Sequence, residues 1–157
     1  AVVVKKAAKG EDLGYLFLGH SGTGKSTHAR QWLQAFPDAW LLNDDNPILR
    51  VMEDGEVRVY GSPWSGKTPC YKNESYPVAA IVRLSQAPHN KMIPLSKIRG
   101  FSAIYPSCPP AFAHDEGLSD HICAIISSIL KMVPVYHLEC LPDREAALLS
   151  FSHICNK

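Results

Sequence analysis

Apolar residues fall along the chain in two spacings, one of strands and one of helices. Ala1 to Lys5 is apolar and β-branched, Gly10-Glu11-Asp12 punctuate it, and Tyr15 to Leu18 resumes as a buried strand, so a hairpin is expected. The chain thus begins in mid-strand, and we expect an amino-terminal portion to precede it. From Lys25 to Phe36 the period changes. Ala29, Trp32, Leu33 and Phe36 recur at helical intervals, leaving His28, Arg30 and Gln31 outward, and Pro37-Asp38 end the run. Trp40 to Leu42 read as the next strand. Pro47 to Met52 and Glu56 to Tyr60 alternate about the turn Glu53-Asp54-Gly55, a hairpin signal.

Residues 61–73, GSPWSGKTPCYKN, form a Gly/Pro/Ser-rich loop long enough to carry function rather than merely connect. Pro77 to Leu84 read as a buried strand, Ala87 to Asn90 as a turn, Met92 to Leu95 as a strand and Ser96 to Tyr105 as a short helix. Pro106, Pro109 and Pro110 break the chain. A long amphipathic helix follows, with Ile122, Ile125, Ile126, Ile129, Leu130 and Val133 as its stripe, Ser119 or Asp120 as its cap and Pro134 as its stop. Val135 to Leu138 make a strand, and Pro142 to Cys155 a closing helix with Pro142 and Asp143 at its start. The pattern is that of an α/β chain without internal repeats.

Composition narrows the class. At 157 residues, 46% hydrophobic and 20% charged, the chain suits one globular domain, residues 1–157, and gives no sign of disorder. A net charge of +1, with no Lys/Arg block or aromatic ladder, argues against nucleic acid as the main ligand. His121 to Val135 is the longest strongly apolar stretch. It is interrupted by Ser127, Ser128 and Lys131, too polar and short for a bilayer, and no membrane partner is expected. Nor is a secretory signal visible. Cys70, Cys108, Cys123, Cys140 and Cys155 are odd in number and contain no C-x-x-C pair, which favours reduced thiols and a cytoplasmic location. The triplet His-Ile-Cys at 121–123 and again at 153–155 reads as helix core faces rather than metal ligands. In a strand, His137 and Glu139 would share one face.

The chemistry is concentrated near the amino-terminal end. Gly19-His20-Ser21-Gly22-Thr23-Gly24-Lys25-Ser26 satisfies the phosphate-loop pattern, with a strand before it and a helix after it. Ser21, Gly22, Thr23, Gly24 and Thr27, with Gly19, supply backbone N–H groups for phosphate, Lys25 adds a point charge, and the Ser26 hydroxyl is suited to a divalent ion. Asp44 and Asp45, in LLNDDNPILR, stand side by side at the end of the Trp40–Leu42 run, the second of them twenty residues after Lys25. Two adjacent carboxylates raise each other's pKa unless a cation or proton intervenes. At the carboxyl end of a strand neighbouring the loop, where open α/β sheets bind ligands, an Mg²⁺ shared with a nucleotide would neutralise them.

FLGHSGTGKST followed by LLNDDNPIL, a hairpin and YGSPWSGK resembles the catalytic domain of the HPr kinase/phosphorylase family and its shorter relatives, which share a fold with phosphoenolpyruvate carboxykinases. The resemblance covers most of the chain, firmly over 14–67. It implies a mixed central sheet with flanking helices, and a kinase that uses ATP and Mg²⁺ to phosphorylate a hydroxyl, typically a protein serine. It further implies Asp45 as general base, Lys25 and Ser26 on the phosphates and metal, Asp44 on the metal, and assembly into homo-oligomers. The acceptor is a protein or small-molecule hydroxyl. Two features depart from the family. Its histidine on the preceding strand falls at or before Ala1, and its metal-binding glutamate is matched by position only by Asn73 or Glu74. Neither the reverse phosphorylase reaction nor HPr as substrate is carried over.

The SPWSGK stretch reads equally as a turn using Pro63 and Gly66 around a packed Trp64 and as a loop that brings Lys67, with Ser65, to the donor phosphates or the acceptor. Arg50 and Arg58 fit the hairpin's solvent face, whereas Arg83, inside an apolar strand, wants an anionic partner. Two rivals remain. Small-molecule kinases of the adenylylsulfate or gluconate type share the loop, but place an arginine-bearing helix where this chain has the hairpin. A nucleotide-binding sensor module would use the same loop without phosphoryl transfer.

Overall fold

The computed structural model describes residues 1–64, 66, 69–108 and 114–155. The expected hairpin is formed by β1 (Val2–Lys5) and β2 (Leu13–Leu18), paired antiparallel with Val3 opposite Tyr15. After the phosphate loop come α1 (Lys25–Ala35) and β3 (Ala39–Asn43), then β4 (Ile48–Val51) and β5 (Val57–Tyr60), the second hairpin. The chain continues as β6 (Ser75–Gln86), β7 (Lys91–Pro94), α2 (Lys97–Ile104), α3 (Glu116–Met132), β8 (Val135–Cys140) and α4 (Arg144–Ile154).

The strands form one mixed sheet in the order β3-β1-β2-β6-β5-β4, with β8 paired to β6 and β7 to β8. Strands β2, β6 and β8 are mutually parallel and end at one edge. Because β1 is antiparallel to both β2 and β3, β3 also runs toward that edge. The aspartates therefore arrive beside the loop from one strand further out than expected: β1 lies between β3 and β2. That intervening strand pairs with both neighbours, which the linear pattern does not encode.

Alternation along the strands divides the core into two layers. Tyr15, Phe17, Ala80, Val82 and Leu138 face α1 and α4, while Leu16, Ile81 and Val135 face α2 and α3. Helices thus cover both faces of the sheet. On the first face His28 corrects the sequence reading: it is 3% exposed, not outward. Its Nε2 lies 3.2 Å from Ser150 Oγ of α4, which also accepts a hydrogen bond from Trp32 Nε1 at 2.9 Å. A polar partner 122 residues away makes burial of this imidazole tolerable. Burial pushes its pKa down to about 4, against a weaker opposing effect of Asp143.

Three further expectations shift. The long helix starts a turn earlier than Ser119 or Asp120, because Asp115 caps it by accepting from Leu118 N at 3.1 Å. Strand β6 is longer than Pro77–Leu84, since Ser75 to Pro77 pair with β5. Arg58 is not a solvent decoration: its guanidinium is bonded to Glu11 at 2.9 Å and Glu56 at 2.8 Å, while Arg50 is exposed. No described helix is long and apolar enough to cross a membrane.

Candidate functional site

The loop between β2 and α1 turns sharply. Gly24, with φ of 105°, occupies the left-handed region that a residue with a Cβ seldom adopts, and from there opens α1. No side chain caps this helix and no acidic residue of its own stands in its first turn, so its first N–H groups carry the positive end of the helix dipole. Thr23 closes the loop on itself, its Oγ1 donating to His20 O at 2.6 Å. Lys25 Nζ donates to Gly19 O at 2.7 Å and lies 3.4 Å from His20 O. The ammonium is held by loop carbonyls at the place where a phosphate chain would offer it anionic oxygens. Ser21 and Gly22 are exposed at the tip, and Thr23, Gly24, Ser26 and Thr27 are half-buried.

The carboxylates part company at the end of β3. Asp44 turns inward, 4% exposed, and accepts a hydrogen bond from Ser26 Oγ at 2.8 Å. Asp45 is exposed. This divergence is built by Asn43, whose side chain is fully buried. Its Oδ1 accepts the backbone N–H of Asp45 at 2.8 Å and of Asn46 at 2.7 Å, an Asx-type turn. Its Nδ2 donates to Trp64 O at 2.9 Å and to Ser62 Oγ at 3.2 Å, and Ser62 Oγ in turn lies 2.6 Å from Asn46 O. The same amide therefore shapes the aspartate turn and ties the 61–73 loop to it.

That loop lies directly on the carboxylates. A Cβ added to Gly66 would stand 2.8 Å from Asp44 Oδ2 and 3.2 Å from Asp45 Cβ, so any other residue would require the carboxylate or the loop to shift. Further on, Cys70 Sγ donates to Leu42 O at 3.2 Å, fastening the loop to β3. Trp64 is exposed rather than packed, which removes the reading of this loop as a turn wrapped around that ring. Ser65 and Lys67 lie outside the described residues.

Lys25 and Asp45 both line a cleft of about 590 Å³ that begins at Gly19 and continues between β4 and α3. Strands and helix ends thus bring Gly19, Lys25 and Asp45 to one opening, with Ser26 and Asp44 bonded beside it. Arg83 is placed elsewhere. Its Nη1 donates to Ala103 O of α2 at 3.3 Å, so the partner found is the carboxyl end of a helix, not the anion expected. His137 and Glu139 do share a face of β8, with partners of their own: Ser85 Oγ at 2.7 Å and His89 Nε2 at 2.8 Å. The hydrogen bond from His89 holds the Glu139 carboxyl below its usual range. Glu74 and Asn73 are exposed, and Glu74 accepts from the Tyr76 hydroxyl.

Among the described residues no three His, Cys, Asp or Glu side chains gather in a metal-holding group. The His-Ile-Cys triplets are only partly core, with His121 exposed and Cys123 and Cys155 half-buried, and all five cysteines are free thiols. A nucleotide-bound Mg²⁺ asks for less, because phosphates and water fill most of its octahedron and one or two protein oxygens suffice. Ser26 Oγ and Asp44, both hard oxygen donors and already 2.8 Å apart, meet that requirement. The sequence reading gave Asn43, Ser62 and Gly66 no part in the site; the position of Asn43 directly before the aspartates and of Gly66 in the Gly/Pro/Ser-rich loop were the signals present. No protein-family model, curated protein or solved structure matches this chain.

Proposed function

We propose that this chain is a kinase that transfers the γ-phosphoryl group of ATP to an alcohol hydroxyl, on the phosphoenolpyruvate carboxykinase-like fold of the HPr kinases. One observation carries the reading: Ser26 of the phosphate loop is hydrogen-bonded to Asp44, while Asp45, its sequence neighbour, opens with Lys25 onto one cleft. The loop and double aspartate are far apart in sequence, and a glycine-rich turn that merely precedes a helix would not require them to meet.

The amino end of α1 and the loop N–H groups would bind the β- and γ-phosphates, and Lys25 would exchange its carbonyl partners for phosphate oxygens. Ser26 and Asp44 would hold Mg²⁺, which when bound offsets charge on the phosphates. Asp45 would accept the proton of the acceptor hydroxyl as its oxygen bonds to phosphorus and the bond to the ADP oxygen breaks. The site-facing part of 61–66 would exclude water, since hydrolysis competes with transfer wherever the acceptor oxygen is replaced by solvent.

Asp45→Asn is the test. The variant keeps the side chain's shape and loses its capacity to take a proton, so turnover with labelled ATP should fall by about 10²–10⁴-fold. Nucleotide affinity should stay within a few-fold, because the phosphates are held by other groups. Turnover that survives the substitution would refute the base assignment. A protein that binds ATP but labels no alcohol and no protein under any divalent ion would instead be a nucleotide-binding module.

A further inference from the structure

The cleft shared by Lys25 and Asp45 has two unlike ends. At the loop its lining is Gly19, Lys25 and Asp45, and beyond them lie Asn46 and Ser107. Most of the remaining wall is apolar: Ile81 of β6, Ile104 of α2, and Ile122, Ile125, Ile126 and Ile129 of α3, with Phe17 and Cys108 beside them. Pro47, Ile48 and Leu49 of the segment after Asp45 face them. Among the described residues Lys25 and Asp45 are the only ones in this lining with charged side chains, and both stand at the reacting end, where the Ala1 amino group also lines the cleft, donating to Phe17 O at 3.0 Å. At about 590 Å³ the space falls within the range of small-molecule sites, roughly 300–1,000 Å³.

We propose that this cleft is the acceptor pocket, and that the acceptor is a small uncharged alcohol with a branched hydrocarbon body. The inference rests on the kinase reading above and narrows its substrate. The direction of the cleft supports it. Of the loop, only its first glycine and its lysine line the wall, whereas the tip from His20 to Gly24 does not. The lysine reaches the terminal phosphates of a bound nucleotide, so the nucleoside leaves past the tip and the cleft lies on the acceptor's side. The chemistry of the wall selects what enters. A sugar or a phosphorylated acceptor would surrender its hydration to aliphatic carbon without recovering hydrogen bonds. An extended peptide would bring an N–H and a C=O with every residue and meet the same deficit. A hydrocarbon gains by burial here, and two large aliphatics that line the cleft, Ile48 and Ile125, are still 47% and 45% exposed.

In the transfer itself the alcohol oxygen forms a bond to the γ-phosphorus, the bond from that phosphorus to the bridging oxygen breaks, and ADP departs with the electron pair. The hydroxyl proton goes to the Asp45 carboxylate. No further reactant is required.

Prenol and geraniol serve as probes, with sorbitol as the polar contrast, and Ile125→Lys and Ile48→Lys as variants whose side chains are already part-exposed and whose unfolding midpoints are checked. Binding of each alcohol is followed by saturation-transfer NMR, binding of ATP with Mg²⁺ by calorimetry, and product by label from γ-labelled ATP. Geraniol should bind saturably beside ATP and accept label, and sorbitol should do neither. Each lysine variant should weaken geraniol by about tenfold or more while ATP affinity holds within about twofold. The proposal is overturned if geraniol does not bind, binds the variants equally well, or is displaced by ATP, the last result placing the nucleoside in the cleft. It is also overturned if sorbitol or a serine peptide takes the label and geraniol does not, an outcome that leaves the kinase reading standing. Geraniol binding that the variants abolish, with no label passing to any acceptor, would remove the kinase reading and reduce the cleft to a binding site.

Discussion

Replacing Asn43 by alanine removes the buried side chain that bonds both to the aspartate turn and to the 61–73 loop. Four hydrogen bonds are lost: two accepted from Asp45 N and Asn46 N at 2.8 and 2.7 Å, and two donated to Trp64 O and Ser62 Oγ at 2.9 and 3.2 Å. A neutral hydrogen bond contributes about 1 kcal/mol net. Asp45 and Asn46 are exposed, so their N–H groups can turn to water and only part of their share is lost. Ser62 Oγ still reaches Asn46 O at 2.6 Å and Trp64 O at 3.0 Å, but its one proton serves both, and the vacated volume of a fully buried side chain is not compensated. Together these place the loss at about 2–4 kcal/mol, a large fraction of the stability of an ordinary domain. Urea unfolding followed by tryptophan fluorescence should show the midpoint falling by about 1–2 M with an unchanged slope. Turnover should fall further than nucleotide affinity, since the variant frees Asp45 and leaves the phosphate loop intact. A stability change below about 1 kcal/mol with normal turnover would refute the assignment of Asn43 as the organiser of this turn.

The buried imidazole of His28 makes stability depend on acidity. Its folded pKa of about 4 lies below the ordinary 6.5, so as pH falls the unfolded chain takes up the proton first. Its neutral form therefore supports the fold fully above about pH 6.5, and that support, on the order of 3 kcal/mol, is withdrawn between about pH 6.5 and 4. Urea midpoints across that window should decline in the wild type and decline less in His28→Gln, and parallel curves would contradict the assignment. Gly66→Ala places a methyl group 2.8 Å from Asp44 Oδ2, and should raise the Mg²⁺ concentration for half-maximal turnover by roughly tenfold. An unchanged Mg²⁺ titration would show that the loop moves aside freely.

Local signals in the chain announced local structure. The two hairpins, the turn between β2 and α1, and the carboxylates at the end of a strand are each written in a short stretch of sequence, and the hairpins stand where the strand periods placed them, whereas the carboxylates stand one strand further out. What escaped depends on partners far along the chain. His28 reads as an outward polar residue because its partner, Ser150, sits 122 residues later. The insertion of β1 between β2 and β3 is a matter of pairing, which periodicity does not specify. The start of α3 was missed because Gly117 weakens the helical pattern, even though Asp115 and Glu116 stand as cap and acidic first turn. Asn43, Ser62 and Gly66 act through contacts between the end of β3 and the 61–73 loop, which their places in the sequence, beside the aspartates and within the loop, do not pair.

Two adjacent carboxylates are tolerable here because the chain aims them differently. Asn43 ends β3 and draws the next two N–H groups onto its own oxygen, so the backbone curls and Asp44 and Asp45 diverge, one to the interior and one to the cleft. The difference in environment bears on which of them would act as base in the proposed reaction. A base must lose its proton again after every turnover. Asp44, 4% exposed, has little path to water and accepts a hydrogen bond from Ser26 Oγ, a hard oxygen donor beside it, which suits a metal ligand. Asp45 is exposed and can return the proton to solvent. Its neighbour Asn46, whose Nδ2 lies 3.2 Å from Asp45 Oδ2, can steady the carboxylate without occupying both its oxygens. Accessibility and bonding thus suit Asp45 to the part of base and Asp44 to that of metal ligand in the proposed reaction.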